Sequence, residues 1–189
     1  MTSPAIDIGL PEKIQFHDHL SHIEIVRTWF GMQTLFLTAF AVFWGGFLFC
    51  WYGNIPEDSP LLFVLFPLLH VGAGVAISYI ALTGWFNRTH VTVGQGRLGV
   101  RHGPLPWPGN KDIDAHDVKQ LYAKEKISRS RNSTSVTYEL RAVTKSGRNI
   151  KLVGGLESQE QAIFIEQKIE KYLRIEDAPV SGEIRKNWS

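Results

Sequence analysis

The stretch that decides the architecture is Thr28–Pro56, TWFGMQTLFLTAFAVFWGGFLFCWYGNIP, 29 consecutive residues without Asp, Glu, Lys or Arg. A second charge-free run of 29, Ser59–Asn87 (SPLLFVLFPLLHVGAGVAISYIALTGWFN), follows almost at once. Phe, Leu, Val, Ala, Gly and Trp dominate both. A bilayer core of about 30 Å needs roughly 20 apolar helical residues, so each run is long enough to span. Charged residues are 20% of the 189-residue chain and the formal net charge is +2, averages that conceal this segregation. The pattern excludes an ordinary water-soluble enzyme.

Working outward from these runs, Trp29 marks one end of the first span and Trp51 with Tyr52 the other, as aromatic belts do. Spans are expected at 29–51 and 61–85. The turn-rich connection GNIPEDSP (53–60) is short, so the spans form an antiparallel hairpin. A cleaved signal is a poor reading of the first run, because secretory h-regions are about 7–15 residues and end at small residues. The single cysteine, Cys50, permits no internal disulfide and no cysteine-based zinc cluster.

The loop between the spans has no Lys or Arg, whereas Arg27 and Arg88 flank them and Arg97 and Arg101 follow. The positive-inside rule therefore puts both termini in the cytoplasm, in a multi-pass protein of an inner membrane. Of the 20 Lys and Arg, 18 lie after residue 86, so positive charge gathers in the C-terminal part. Residues 1–12, with Pro4, Gly9 and Pro11, read as a loose arm. Residues 13–27 read as an interfacial helix leading into the membrane.

After Asn87 the apolar period becomes two. Val91 and Val93, then Leu98 and Val100, then Val136, Tyr138, Leu140 and Ala142, then Ile150 and Leu152 alternate with polar residues or glycine. Gly94-Gln95-Gly96 and Lys145-Ser146-Gly147-Arg148 are hairpin turns. Ser158 with Gln161 forms a capping box for a terminal helix whose core stripe is Ala162, Ile165, Ile169 and Tyr172 or Leu173. The helix packs over the sheet of Val136, Tyr138 and Leu140 and stops near Ile175, leaving 176–189 as a flexible tail. The expected class is an α+β membrane protein: an arm and interfacial segment (1–27), a transmembrane hairpin (28–86), a small antiparallel β domain closed by a helix (87–175), and the tail.

That order of strands and helix, together with Asn87-Arg88-Thr89, Val100–Asn110 (VRHGPLPWPGN) and Gln120-Leu121-Tyr122, resembles bacterial two-span membrane proteins that carry a C-terminal PH-like domain. The resemblance covers roughly residues 29–175. It implies a binding or scaffolding module and no catalysis. Basic loops of PH-like domains often hold anionic headgroups, which directs attention to Lys124, Lys126, Arg129 and Arg131, which bracket the expected loop KISRSRNSTS.

Each candidate site has a bland alternative. The basic loop serves lipid or an acidic partner, near a leaflet where each basic residue contributes about 1 kcal/mol, or it is a solvated hairpin. Nucleic acid is disfavoured because aromatic interleaving is absent. Trp107, within the stiff PLPWPG, docks on a membrane or partner or folds back on its own sheet. Ala41 with Gly45, Gly72 with Ala76, and Gly74 with Ser78 are small-residue faces that pack the hairpin on itself or recruit another membrane protein. His70, mid-span, hydrogen-bonds Thr34 or Thr38, packs, or ligates a cofactor whose second ligand comes from elsewhere. His17, His19 and His22 are exposed interfacial histidines or, with Asp18, a metal cluster lacking a spaced fourth ligand. Gly94–Gly99 matches G-x-G-x-x-G by letter, but a strand pattern follows it where a dinucleotide site needs a helix. The asparagines of Asn132-Ser133-Thr134 and Asn87-Arg88-Thr89 are glycosylation sequons in name only on a cytoplasmic face. With no catalytic motif present, no enzyme and no cofactor are expected. The expected function is an accessory or assembly subunit of a larger inner-membrane complex, with lipids and other integral subunits as partners and a homo-oligomer also open. A stand-alone headgroup sensor and a cofactor-carrying subunit using a membrane histidine are the alternatives.

Overall fold

A computed structural model describes residues 9–56, 58–131, 133–178 and 180–184. The start of the expected arm with Pro4, Glu57 in the interspan loop, Asn132 of the sequon, and Pro179 and 185–189 of the tail lie outside the described residues. The class is α+β. In chain order there are β1 (Ile14–Asp18), β2 (His22–Thr28), α1 (Met32–Gly53), α2 (Leu61–Phe86), β3 (Arg88–Gly94), β4 (Arg97–Gly103), β5 (Lys111–Asp114), β6 (Val118–Ser130), β7 (Ser133–Thr144), β8 (Asn149–Leu156) and α3 (Gln159–Leu173). One sheet has the order β1-β2-β3-β4-β5 and the other β6-β7-β8.

The chain divides into two compact units. One holds the residues up to Arg27, Thr89–His102 and the chain from Trp107 onward; the other holds Thr28–Arg88 with Gly103–Pro106. The helical unit contains α1 and α2, with mean hydropathy 1.8 and 2.2, both long and apolar enough to cross a membrane. β2 and β3 are neighbours in one sheet although α1 and α2 lie between them in sequence, so the helical hairpin is an insertion between two adjacent strands.

The β unit departs from expectation at its N-terminal end. Residues 13–27 form no interfacial helix: β1 and β2 pair antiparallel, Ile14 opposite Arg27 through Asp18 opposite Ile23. The alternation of Ile14 and Phe16, then Ile23 and Ile25, sends four apolar side chains into the core, with Arg27 and Asp18 at the two ends of the same face, and puts Gln15, His17, His22 and Glu24 on the other. Arg27 is accordingly no surface charge. Its Nη2 donates to Gly155 O at 2.6 Å, its guanidinium is 3.9 Å from Glu157, and burial pushes its pKa down against the pull of Glu157.

The other turns match the sequence. Gln95 and Gly96 have φ of 50° and 73° between β3 and β4, and Gly147 has φ 81° between β7 and β8. Gly94 answers to close approach: a Cβ there would lie 2.4 Å from His22 Cβ and 2.8 Å from Ser21 O. Ser158 caps α3, its hydroxyl accepting from Gln161 N, and Arg174 ends the helix in the left-handed conformation. Ala162, Ile165 and Ile169 are buried, Ile163 and Phe164 widen the stripe, and of Tyr172 and Leu173 it is Leu173 that packs against the core. The core joins them to Val91, Val93, Leu98, Val100, Leu121, Leu140 and Leu152. Val136 is not part of it. Part of the expected tail is docked as well, because Ile184 packs on the core and its N–H donates to Ala123 O at 3.0 Å.

Candidate functional site

The expected basic loop is strand. β6 and β7 stay in register from Leu121 opposite Ala142 out to Ser130 opposite Ser133. Only the inner half is buried, through Leu121, Ala123, Leu140 and Ala142; from Lys124 to Arg131 and from Ser133 to Val136 every side chain is exposed. β-branched Ile127, Thr134, Val136 and Thr137 hold the outer half extended. Because successive side chains alternate, the four basic residues do not share one face. Lys124 and Lys126 lie with Ser128 on one side, while Arg129 lies with Glu125 and Ile127 on the other. The second side continues the core face of Ala123 and Leu140 beyond the core, so Ile127 and Val136, directly opposite one another, are 51% and 42% exposed. Lys126 approaches Glu139 at 3.8 Å, and Glu139 is held by Arg141 at 2.9 Å. Among the described residues, Lys124, Arg129 and Arg131 make no ion pair. The arrangement is an arm with charge on both faces and an apolar pair on one.

The proline-rich segment is split between the units. Pro104–Pro106 belongs with the helices, where Asn87 donates from Nδ2 to Leu105 O (3.0 Å) and accepts from Leu105 N at Oδ1 (2.8 Å). Tyr79 OH donates to Pro106 O. The Gly103–Pro104 peptide is cis. Asn87 is therefore a buried backbone clamp. Trp107 is half-buried in the β unit. There His102 N donates to Asn110 Oδ1 at 2.8 Å, and the His102 ring lies 3.0 Å from Thr89 Oγ1. Burial pushes the pKa of His102 down, and the Arg27 charge adds to it.

Within the helical unit, the glycines that meet the partner helix differ from those expected. Gly45, Gly72 and Ala76 are exposed, and an added Cβ at Gly45 or Gly72 would meet nothing within 4 Å. Ala41 is half-buried. The close approaches are at Gly74, whose Cβ would be 3.0 Å from Trp44 Cδ1, and at Gly84, whose Cβ would be 2.5 Å from Thr34 Oγ1. Of the three expected faces, only Gly74 with Ser78 turns inward. Cross-helix hydrogen bonds come from indoles: Trp44 Nε1 donates to His70 O at 3.1 Å, and Trp85 Nε1 donates to Thr38 Oγ1 at 2.8 Å. The His70 ring bonds neither Thr34 nor Thr38 but sits beside Trp44 and Phe66, centroids 5.8 and 5.1 Å away.

The N-terminal histidines stand on a sheet face. His17 is opposite Glu24, and His19 N donates to His22 O at 2.9 Å to close the hairpin. Asp18 is in register with Ile23 and so lies on the opposite face from His17. His90 of β3 comes to the same group, its Nδ1 2.8 Å from Glu24 Oε1. That hydrogen bond lowers the Glu24 pKa, burial opposes it, and the charges of His90, His17 and His19 add to the lowering. Sequence reading missed Glu24 and His90, although the i, i+2 spacing of His17 with His19 and of His22 with Glu24 was the signal of a shared strand face. A second group, Glu166, Glu170 and Asp177, brings three carboxylate oxygens within 4.8 Å of one another, with Gln120 Nε2 donating to Glu170 at 3.0 Å. No family model matches the chain, and no curated protein matches it.

Proposed function

We propose that this chain is a non-catalytic, membrane-anchored binding protein: an accessory or assembly subunit of a larger inner-membrane complex, with a PH-like β domain on the cytoplasmic side. The observation that carries this reading is the exposure of the small residues Gly45, Gly72 and Ala76. Gly45 borders the open groove between the two helices, and Gly72 and Ala76 are exposed along α2, so each leaves a flat, close-approach surface that the hairpin itself does not fill. In a bilayer, such surfaces let a further helix come near enough for backbone contact. The pairing of β2 with β3 supports the topology, because strands at the two ends of the helical hairpin must lie on one side of any membrane it crosses. A specific observation favours a second reading, a stand-alone sensor of anionic lipid. Ile127 and Val136 beside Lys124, Lys126, Arg129 and Arg131 give one arm both an insertable pair and headgroup ligands.

Mild-detergent purification of the full chain and of Gly45→Leu, each after cross-linking in the membrane, tests the first reading. The expected result is a discrete set of integral-membrane cross-links that Gly45→Leu removes while the chain accumulates normally. A chain that stays monomeric with or without the substitution would overturn the accessory role. Retention on anionic vesicles, lost when the four basic residues are changed to Gln, would then support the sensor.

A further inference from the structure

We propose that the α1–α2 hairpin carries a binding site for a lipid-soluble quinone, a flat uncharged ring bearing carbonyl groups, in an aromatic slot beside His70. The slot is a cavity of about 350 Å³, with Phe43, Trp44, Phe47 and Trp51 of α1 and Phe66 and His70 of α2 among its walls. Residues 43, 47 and 51 recur at four-residue spacing and so share a face of α1. Trp44 ties the two sides together: its indole N–H donates to His70 O at 3.1 Å, and its ring lies 5.8 Å from the imidazole with the planes 28° apart. Phe66 is 5.1 Å from the same imidazole, and Phe47 is 6.2 Å from Trp51. The walls are thus mainly ring faces and edges, surfaces on which another ring packs. Ligand pockets run from about 300 to 1,000 Å³, and a volume at the lower end suits one substituted ring whose tail leaves into the lipid.

His70 selects the ligand. It stands nine residues after Leu61, about 13 Å along the helix axis at roughly 1.5 Å per residue, and so deep in a hydrocarbon core of about 30 Å. Among the described residues no group hydrogen-bonds its ring, whose neighbours are the aromatic Trp44 and Phe66. At that depth an imidazole without a partner costs free energy, and ionisable residues there mark ligand or ion paths. The imidazole offers an N–H donor, which a carbonyl oxygen accepts. Water is absent from the bilayer core, and phospholipid esters and sterol hydroxyls stay near its surface, whereas an uncharged quinone ring enters the interior. A bare acyl chain reaches the same depth but has no group for the imidazole. The site rests on the hairpin lying in a bilayer and not on the accessory role.

The test is a titration of the full chain, in nanodiscs of neutral phosphatidylcholine, with a decyl-substituted benzoquinone read by quenching of tryptophan fluorescence. Bound quinone quenches saturably, whereas quinone merely dissolved in the lipid quenches in proportion to its concentration. The expected result is saturation at one quinone per chain. His70→Leu should raise the half-saturating concentration roughly tenfold, the loss of one hydrogen bond, and His70→Gln, which keeps an N–H donor, should restore most of it. Leu69→Ala, on an exposed neighbour outside the slot, should change nothing, and decylbenzene, which lacks the carbonyls, should fail to compete. Quenching without saturation, equal half-saturation in the wild type and His70→Leu, or displacement by equimolar decylbenzene would overturn the site. Alkaline carbonate treatment of the expressing membranes separates the two levels: a chain that is extracted contradicts the spanning reading and the site with it, and a chain that stays in the membrane without saturable quenching contradicts the quinone site alone.

Discussion

In α1 and α2 the large apolar side chains point outward: Phe36, Phe43, Phe49 and Leu69 are 70%, 71%, 81% and 80% exposed. In the β unit the same kinds of side chain are turned in, with Leu98, Leu121, Leu140 and Leu156 at 0%. Both units obey one rule, since apolar surface leaves water at roughly 25 cal/mol per Å². The β unit satisfies it by building a core. The helical unit satisfies it only if its surroundings are themselves apolar, and this contrast is the physical content of the membrane reading.

The largest effects should come from placing a carboxylate on each side of that contrast. Ile165→Asp buries an unpartnered acid in the β core and should cost about 3 kcal/mol or more, seen as lost protease resistance of that unit. Phe43→Asp, mid-way along α1 and exposed, should cost about 2.5–3.5 kcal/mol of insertion if lipid surrounds it. In water the same change would be close to silent. Normal membrane accumulation of Phe43→Asp would break the comparison.

What could be read from the sequence follows the same division. The two charge-free runs declared the helices without any knowledge of contacts, and the glycine turns at 94–96 and 145–148 and the Ser158 cap are local codes. The β1–β2 hairpin was missed because its turn, His19-Leu20-Ser21, carries no glycine, although the alternation of Ile14 with Phe16 and of Ile23 with Ile25 has period two. β6 was hidden by Lys119, Lys124, Glu125 and Lys126, and it is held extended by pairing with β7, a partner outside its own sequence. The helix faces were ambiguous for a different reason. Several small-residue stripes overlap on an apolar helix, and only the bulky partners, Trp44 against Gly74 and Thr34 against Gly84, select which one meets the neighbour.

Gly84 sharpens the comparison from inside the helical unit. Gly84→Leu would drive side-chain atoms into Thr34 and should cost about 1–3 kcal/mol of hairpin stability, measured as a lower thermal midpoint in detergent. Gly72→Leu, with open space at its Cβ, should leave that midpoint unchanged.

The smallest expected effect belongs to the β unit alone. His102 has its pKa lowered by burial from an ordinary 6.5, so the folded state resists protonation more than the unfolded chain does. The unfolded state then binds more protons, and stability rises with pH across this window. The contribution is present above about 6.5 and is lost as pH falls through the folded value. Denaturant midpoints of the wild type should therefore drop between neutral pH and pH 5, and His102→Gln should flatten that drop. An identical slope in the variant would assign the pH dependence elsewhere.

The central claim is that the helical hairpin crosses a bilayer as an excursion between two neighbouring strands. In a Cys50→Ala background, single cysteines replacing Gln15 in β1, Ser146 in the β7–β8 turn and Ser59 between the helices can be labelled with an impermeant maleimide in sealed vesicles of each orientation. The account predicts that the Gln15 and Ser146 positions react together from the cytoplasmic side and the Ser59 position only from the other. Labelling of all three from one side, or of the Gln15 and Ser146 positions from opposite sides, would contradict it.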